Sequence, residues 1–300
     1  MPSLTKTRRF RVLTNRRRRV GLLLRLAVAI LAIVYALLPP LWIVSAAFNP
    51  SGSLATQRLV PERASTANFQ ELLGGQDYSL HPYKLWLWNS VKIASIVSLL
   101  AVFIVAFSAY AFSRFRFRFR RRLLLGIFLV QIFPSSLTMV ALFLLFRQIG
   151  DYIPAFGLNR HGGLILAYLG PILGINVWLM KGFFDSIPRD IDESAKVDGA
   201  SHWQIFWKLI LPLARPILAV VVALVFIGTF NDFLLARVLL QSTEQFTLML
   251  GLYLLVQVRF TQNWGLFAAG ALIASVPITV LYLLLQSQIV SGLTRGAVKG

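Results

Sequence analysis

Apolar positions in this chain neither alternate nor recur as a narrow stripe. They run in unbroken blocks, with the polar residues gathered between them. Six blocks stand out: Leu26–Ala47, Leu85–Phe112, Leu123–Phe146, Gly163–Phe184, Leu213–Leu235 and Phe267–Ile289. A bilayer core about 30 Å thick takes about 20 residues of helix. Only a helix satisfies its own backbone within a single segment in lipid. The pattern therefore predicts an all-α polytopic membrane protein with six transmembrane helices. The lack of period-two alternation argues against an outer-membrane barrel. The first block is too long for a cleaved leader, and no small-x-small site follows Leu38-Pro39-Pro40-Leu41, so it reads as the first span.

Composition agrees. Of 300 residues, 57% are hydrophobic and 14% charged, against about 25% charged in soluble domains. The mean hydropathy is +0.71. An ordinary soluble enzyme, a disordered chain and a fibrous protein are excluded. The chain has no cysteine, which removes disulfides, thiol catalysis and Cys-based metal sites. His81, His161 and His202 are scattered without metal-ligand spacing. No catalytic residue, no metal and no cofactor bound by this chain are expected.

The net charge is +19, from 30 Lys+Arg and 11 Asp+Glu. In a soluble protein that would point to nucleic acid, but the placement here points to lipid. Nine cations lie up to Arg25, six between Arg114 and Arg122, five between Lys181 and Arg215, and two in the C-terminal tail. The opposite side holds seven: Arg58, Arg63, Lys84, Arg147, Arg160, Arg237 and Arg259. The positive-inside rule then predicts an N-in, C-in topology in a cell (inner) membrane. The clusters Arg16–Arg19 and Arg120–Arg122 read as anchors at anionic lipid. Trp42, Trp86, Trp88 and Trp264 fall near predicted outer boundaries, as an interfacial aromatic belt would. The outer loop from Phe48 to Lys84 reads as a small capping region.

One stretch, Ile187–Pro212, is neither span nor simple loop. It carries Asp190, Asp192, Glu193 and Asp198. Pro188 suits a first helical turn, and the acids after it suit the positive end of a helix dipole. Gly199 is placed to end that helix in a left-handed conformation. Ser201 with Gln204 makes a capping box for a second helix, and Pro212 breaks it before the fifth span. Trp203 and Trp207, four apart, share one face, suited to the bilayer surface or a neighbouring helix. Two short helices meeting at a glycine corner make either a solvated connector or a compact knob that docks into another protein.

This segment resembles the signature cytoplasmic loop of binding-protein-dependent ABC importer permeases. Their pattern is Glu-Ala-Ala, three residues, Gly, nine residues, Ile-x-Leu-Pro. Here it is Glu193-Ser194-Ala195, then Gly199, then Leu209-Ile210-Leu211-Pro212, with Ser194 and Leu209 as conservative departures. Ala109-Tyr110-Ala111-Phe112-Ser113-Arg114-Phe115-Arg116, Gln131-Ile132-Phe133-Pro134 and Lys181-Gly182-Phe183-Phe184 resemble the carbohydrate-importer permeases. The C-terminus, Gly292-Leu293-Thr294-Arg295-Gly296-Ala297-Val298-Lys299-Gly300, is similar to that of the G-type permease subunits of maltose/maltodextrin importers. The resemblance covers about residue 85 to the end; the first 84 residues match in layout only.

The resemblance implies a type I ABC importer permease fold. A basic N-terminus (1–25) precedes the first span and outer loop (26–84). A permease core (85–290) contains the coupling loop 187–212, and a tail (291–300) follows. It implies that Glu193, Ser194, Ala195, Asp198, Gly199, Ala200, Leu211 and Pro212 dock onto an ATPase subunit. Gly292, Thr294, Gly296 and Lys299 would thread between two such subunits, although that tail, rich in glycine, should be irregular alone. Within the last outer loop, Gln241–Asn263, residues Gln257, Val258, Arg259, Phe260 and Thr261 match by position a segment inserted into a sugar-binding protein. ATP and Mg would sit on the ATPase dimer, and a companion permease subunit would complete the path.

Asn231-Asp232 near the outer end of span five reads as an interfacial cap or a functional acid. Pro134, Pro171 and Pro277 fall inside spans as kinks or hinges. The chain has no Walker A loop, so ATP would be handled by a partner. An ABC permease for another solute is the nearest alternative. An ion-coupled carrier would need more intramembrane acids and internal repeats. A membrane-embedded transferase or protease would need a paired catalytic set in the spans.

Overall fold

The computed structural model describes residues 4–50, 58–61, 63–74, 82–132, 135–257 and 263–297, with side chains left aside at 4–20, 135–136 and 290–297. Among the described residues every regular element is helical. In chain order the main ones are α1 Leu4–Ala47, α2 Ala67–Gly74, α3 Tyr83–Arg114, α4 Arg120–Val130, α5 Ser135–Tyr152 and α6 His161–Ser186. There follow α7 Asp190–Val197, α8 His202–Leu213, α9 Arg215–Phe230, α10 Leu234–Leu239, α11 Leu248–Val256 and α12 Trp264–Ala297.

Among the described residues, four helices are long and apolar enough to cross a bilayer alone: Gly21–Ala47 of α1, α3, α6, and Trp264–Ile289 of α12. A fifth crossing results if α8 and α9 count as one span bent by 76°. The expected block Leu123–Phe146 is instead divided between α4 and α5, with a turn at Gln131 and Ile132. The expected block Leu213–Leu235 stops at Phe230 and resumes as the separate α10. Pro212 and Pro216 lie four apart and each lacks the N–H that a continuing helix needs, so the bend falls between them at Ala214. The preceding turn, Phe206–Ile210, widens to a π-helix, with Leu211 N–H donating to the Phe206 carbonyl.

The core is the junction of α3, α6 and α9, with α12 against α9 and α1 against α12. In lipid, apolar burial does not drive helices together; close packing does. On α3 the buried positions Ala94, Ala101, Ala106 and Ala109 keep the contact face small and let α6 and α9 approach closely.

Three expectations are corrected. Trp86 is fully buried, and its indole N–H donates to the Thr243 carbonyl at 2.9 Å, so it ties α3 to the 240–247 loop and is not a belt residue. The region expected as an outer loop contains α11, a nine-residue apolar helix too short to cross a bilayer. It packs on α3 and α12. The tail expected to be irregular continues α12 as helix through Gly292, Thr294 and Gly296 to Ala297; Lys299 lies outside the described residues. So do Val258, Arg259, Phe260 and Thr261, while Gln257 ends α11.

Candidate functional site

The 187–212 segment folds as an elbow. Asp190, Asp192 and Glu193 occupy the first turn of α7 and Lys196 its last, which complements the helix dipole at both ends. Gly199 adopts φ +81°. Its N–H donates to the Lys196 carbonyl at 3.0 Å and the Ala200 N–H to the Ala195 carbonyl at 2.9 Å. These two bonds are the Schellman pattern, which closes the α7 carbonyls and turns the chain. Ser201 then caps α8: its Oγ accepts from Gln204 N–H at 3.3 Å, and Gln204 Oε1 accepts from Ser201 N–H at 2.8 Å. Glycine corner and capping box thus form where the sequence places them.

The elbow has an inner and an outer face. Ile191, Ala195, Ala200, Leu209 and Leu211 pack against the core. Glu193, Ser194, Lys196, Asp198, Gly199 and Pro212 are exposed, and Val197 at the corner is 88% exposed. All eight residues expected to dock therefore sit on α7, at the Gly199 corner or in the last turn of α8, but Ala195, Ala200 and Leu211 are turned partly inward.

What seats the elbow was not evident from its own sequence. Arg114, the last residue of α3, places its Nε 2.7 Å from Asp192 Oδ2, with the two side chains only 6% and 8% exposed. The contact is an ion pair; Asp192 Oδ1 is buried without a hydrogen-bond partner. Arg114 Nη2 also donates to the Ile187 carbonyl at 3.2 Å, and Arg189 Nη2 donates to the Ser113 carbonyl at 3.0 Å. Ser113 Oγ donates to Asp185 Oδ1 at 2.7 Å, and Asp185 pairs with Lys181 one turn back on α6. The second arm, α8, seats on the same helix through aromatic rings. Phe107 stacks on Trp203 (5.7 Å, 8°) and on Phe206 (4.9 Å), and Tyr110 meets Phe206 edge-on at 5.0 Å. Both arms therefore bear on the last turns of α3, one through a buried ion pair and the other through a ring cluster. The signal in the sequence was Ser113-Arg114 within the Ala109–Arg116 stretch; nothing local pairs it with Asp192, 78 positions on.

At the opposite end, Asp232 is a cap. Its Oδ1 accepts from the N–H groups of Leu235 and Ala236, each at 3.1 Å, and from the Tyr168 hydroxyl at 2.8 Å, which joins α10 to α6. Asn159 Oδ1 accepts from the N–H groups of Gln241 and Ser242 at 3.0 Å, and Asn89 Nδ2 donates to the carbonyls of Glu244 and Phe246. These bonds tie α10 and the 240–247 loop to α3 and α6.

Residues 101–293 match the family described as binding-protein-dependent transport system inner membrane component. Over 272 residues the chain is 43% identical to the maltose/maltodextrin transport system permease protein MalG of Vibrio vulnificus (strain YJ016), covering 87% of this chain and 90% of that one. Over 277 residues it is 42% identical to the galactooligosaccharides transport system permease protein GanQ of Bacillus subtilis (strain 168), covering 92% and 94%. The crystal structure of a bacterial ABC transporter involved in the import of the acidic polysaccharide alginate contains a chain similar to this one. The TM-score is 0.68 at 26% identity, covering 90% of this chain and 96% of that chain. The exposed elbow, its seat on a long apolar helix and these matches agree: the chain belongs to the binding-protein-dependent inner membrane components, the permeases of ABC importers, and its relatives include sugar permeases.

Proposed function

We propose that this chain is one transmembrane half of an ATP-driven oligosaccharide importer, with maltose or maltodextrin as the first substrate to test and galactooligosaccharide the second. The relatives named for those sugars support the class without separating the two, at 43% and 42% identity. In this reading the N-terminus and the elbow face the cytoplasm, and α4 with α5, and α8 with α9, complete six crossings. The chain handles no ATP; an ATPase dimer carries ATP and Mg. A companion permease forms the other half of the path, and an external binding protein delivers sugar.

The observation that carries the reading is the elbow: an exposed corner at Val197–Gly199 on two short helices, both seated on the end of α3. ATP closes the ATPase dimer, each subunit draws an elbow inward, and the motion passes to α3 and the spans packed on it. This is rigid-body switching between two accessible states, driven by the different contacts each state makes with its partners. Glu193, Ser194, Asp198 and Gly199 make the exposed contact, and Ala195, Ala200, Leu211 and Pro212 hold its shape. The tail Gly292–Lys299 and the 257–261 segment are assigned to the ATPase and the binding protein on resemblance alone.

The test is co-purification. Glu193→Lys reverses an exposed charge without touching the buried seat. The permease should still insert and pair with its companion, but recover less than a tenth of the wild-type ATPase subunit. Normal recovery would contradict the docking role.

A further inference from the structure

We propose that Gln131, at mid-depth in the membrane, and Trp178, about two helical turns nearer the Arg120 end of the same α4–α6 seam, together form a sugar-contacting site. The inference rests on the importer reading and adds a place in this subunit where the carried sugar is touched.

Depth comes first. α4 begins at Arg120, beside the basic run, and is eleven residues long. At 1.5 Å per residue, Gln131 lies about 16 Å along from there, near the middle of a core about 30 Å thick. The helix breaks at that depth: Gln131 and Ile132 form a turn, and α5 starts at Ser135. Non-helical backbone is tolerated at mid-membrane only against protein or along a water-filled path. Gln131, Ile132 and Pro171 are exposed, so the described residues leave this side of the break open. Interrupted spans near the midplane are where carriers hold their solutes.

The chemistry comes second. The Gln131 amide N–H donates to the Pro171 carbonyl of α6. Gly174 makes the approach possible, since a Cβ there would overlap the Gln131 amide. The rest of the amide, one N–H and one oxygen, keeps its capacity to donate and accept. One turn further along α6, Trp178 is fixed from one side. Its Nε1–H donates to the Leu124 carbonyl at 3.4 Å, and its ring lies 6.1 Å from that of Phe128. Yet Trp178 and Phe128 are each 43% exposed. A sugar ring presents an apolar C–H face and hydroxyls at its edge. An anchored indole with an amide a short way along the same seam fits both, and a few polar groups among aromatic ones are the usual make-up of such sites. A purely lipid-facing seam would call for neither a free amide nor a break.

The absence of cysteine makes the test direct. Gln131→Cys and Trp178→Cys, made singly, are compared with Leu99→Cys, an exposed apolar position of α3. Each is made in membranes holding the whole complex and treated with a membrane-impermeant maleimide. Labelling at 131 and 178 should exceed that at 99 at least tenfold. With saturating binding protein, maltotetraose or galactotetraose should slow it several-fold. Labelling at 131 and 178 no faster than at 99 would overturn the proposal. So would fast labelling that neither sugar slows, which would mean a water path without sugar contact. Failure of the importer reading is seen separately, as a complex that contains no ATPase subunit.

Discussion

Replacing Asp192 by alanine leaves the Arg114 guanidinium buried without its carboxylate. The two side chains are 6% and 8% exposed and 2.7 Å apart, so water screens the pair little. Removing one partner of a buried ion pair costs about 3–5 kcal/mol. The lower end applies here, because Arg114 keeps the Ile187 carbonyl as an acceptor. About 3 kcal/mol, at roughly 1.4 kcal/mol per factor of ten, shifts the ratio of seated to unseated elbow by on the order of a hundredfold. Hydrogen exchange reads that ratio, since amides of α7 exchange when the elbow lifts off. In the purified complex, Asp192→Ala should speed α7 exchange by on the order of a hundredfold and leave the α3 and α6 amides unchanged. Coupled replacement, Arg114→Leu with Asp192→Leu, removes both charges from the buried site and should restore most of the protection. Unchanged α7 exchange in a folded Asp192→Ala complex would refute the seating role of the pair.

Two further outcomes follow from backbone and packing. Gly199→Val forces a β-branched residue to φ +81°; since nothing lies within 4 Å of the added Cβ, the penalty is conformational, about 1–2 kcal/mol. It should show as reduced ATPase recovery without a fall in membrane insertion, and full recovery would count against the turn's importance. Gly251→Ala puts a methyl group into the Trp86 indole, an overpacking that costs about 1–3 kcal/mol, and thermal unfolding of the purified subunit should begin at lower temperature; an unshifted transition would mean that α11 moves aside freely.

The elbow was legible because its signals are local. Gly199 needs only its own φ, and Ser201 finds Gln204 three residues on, so spacing alone gives both caps. The long straight helices were legible for a similar reason: hydropathy adds along a segment. Hydropathy carries no direction, however. It ran α4 and α5 together across the Gln131 turn, where only Pro134 hinted at a kink, and it said nothing of the 76° bend at Ala214, where Pro212 marked the break but not its angle. Trp86 was misplaced because an indole at a helix end suits a membrane interface as well as a buried site, and the Thr243 carbonyl that decides the matter lies 157 residues away. The Arg114–Asp192 pair was hidden for the same reason. Arg114 counts in the sequence only as the first of six cations up to Arg122, and it is the fold that turns it inward.

The central claim is that the elbow meets a nucleotide-hydrolysing subunit on the inner side of the membrane, and Val197 is the residue to ask. It is 88% exposed at the corner. In a chain without other cysteines, Val197→Cys bearing a short photo-crosslinker should join this permease to its ATPase subunit, and an impermeant thiol reagent added outside intact cells should not reach it. Labelling from outside, with no crosslink to any ATPase, would contradict the account.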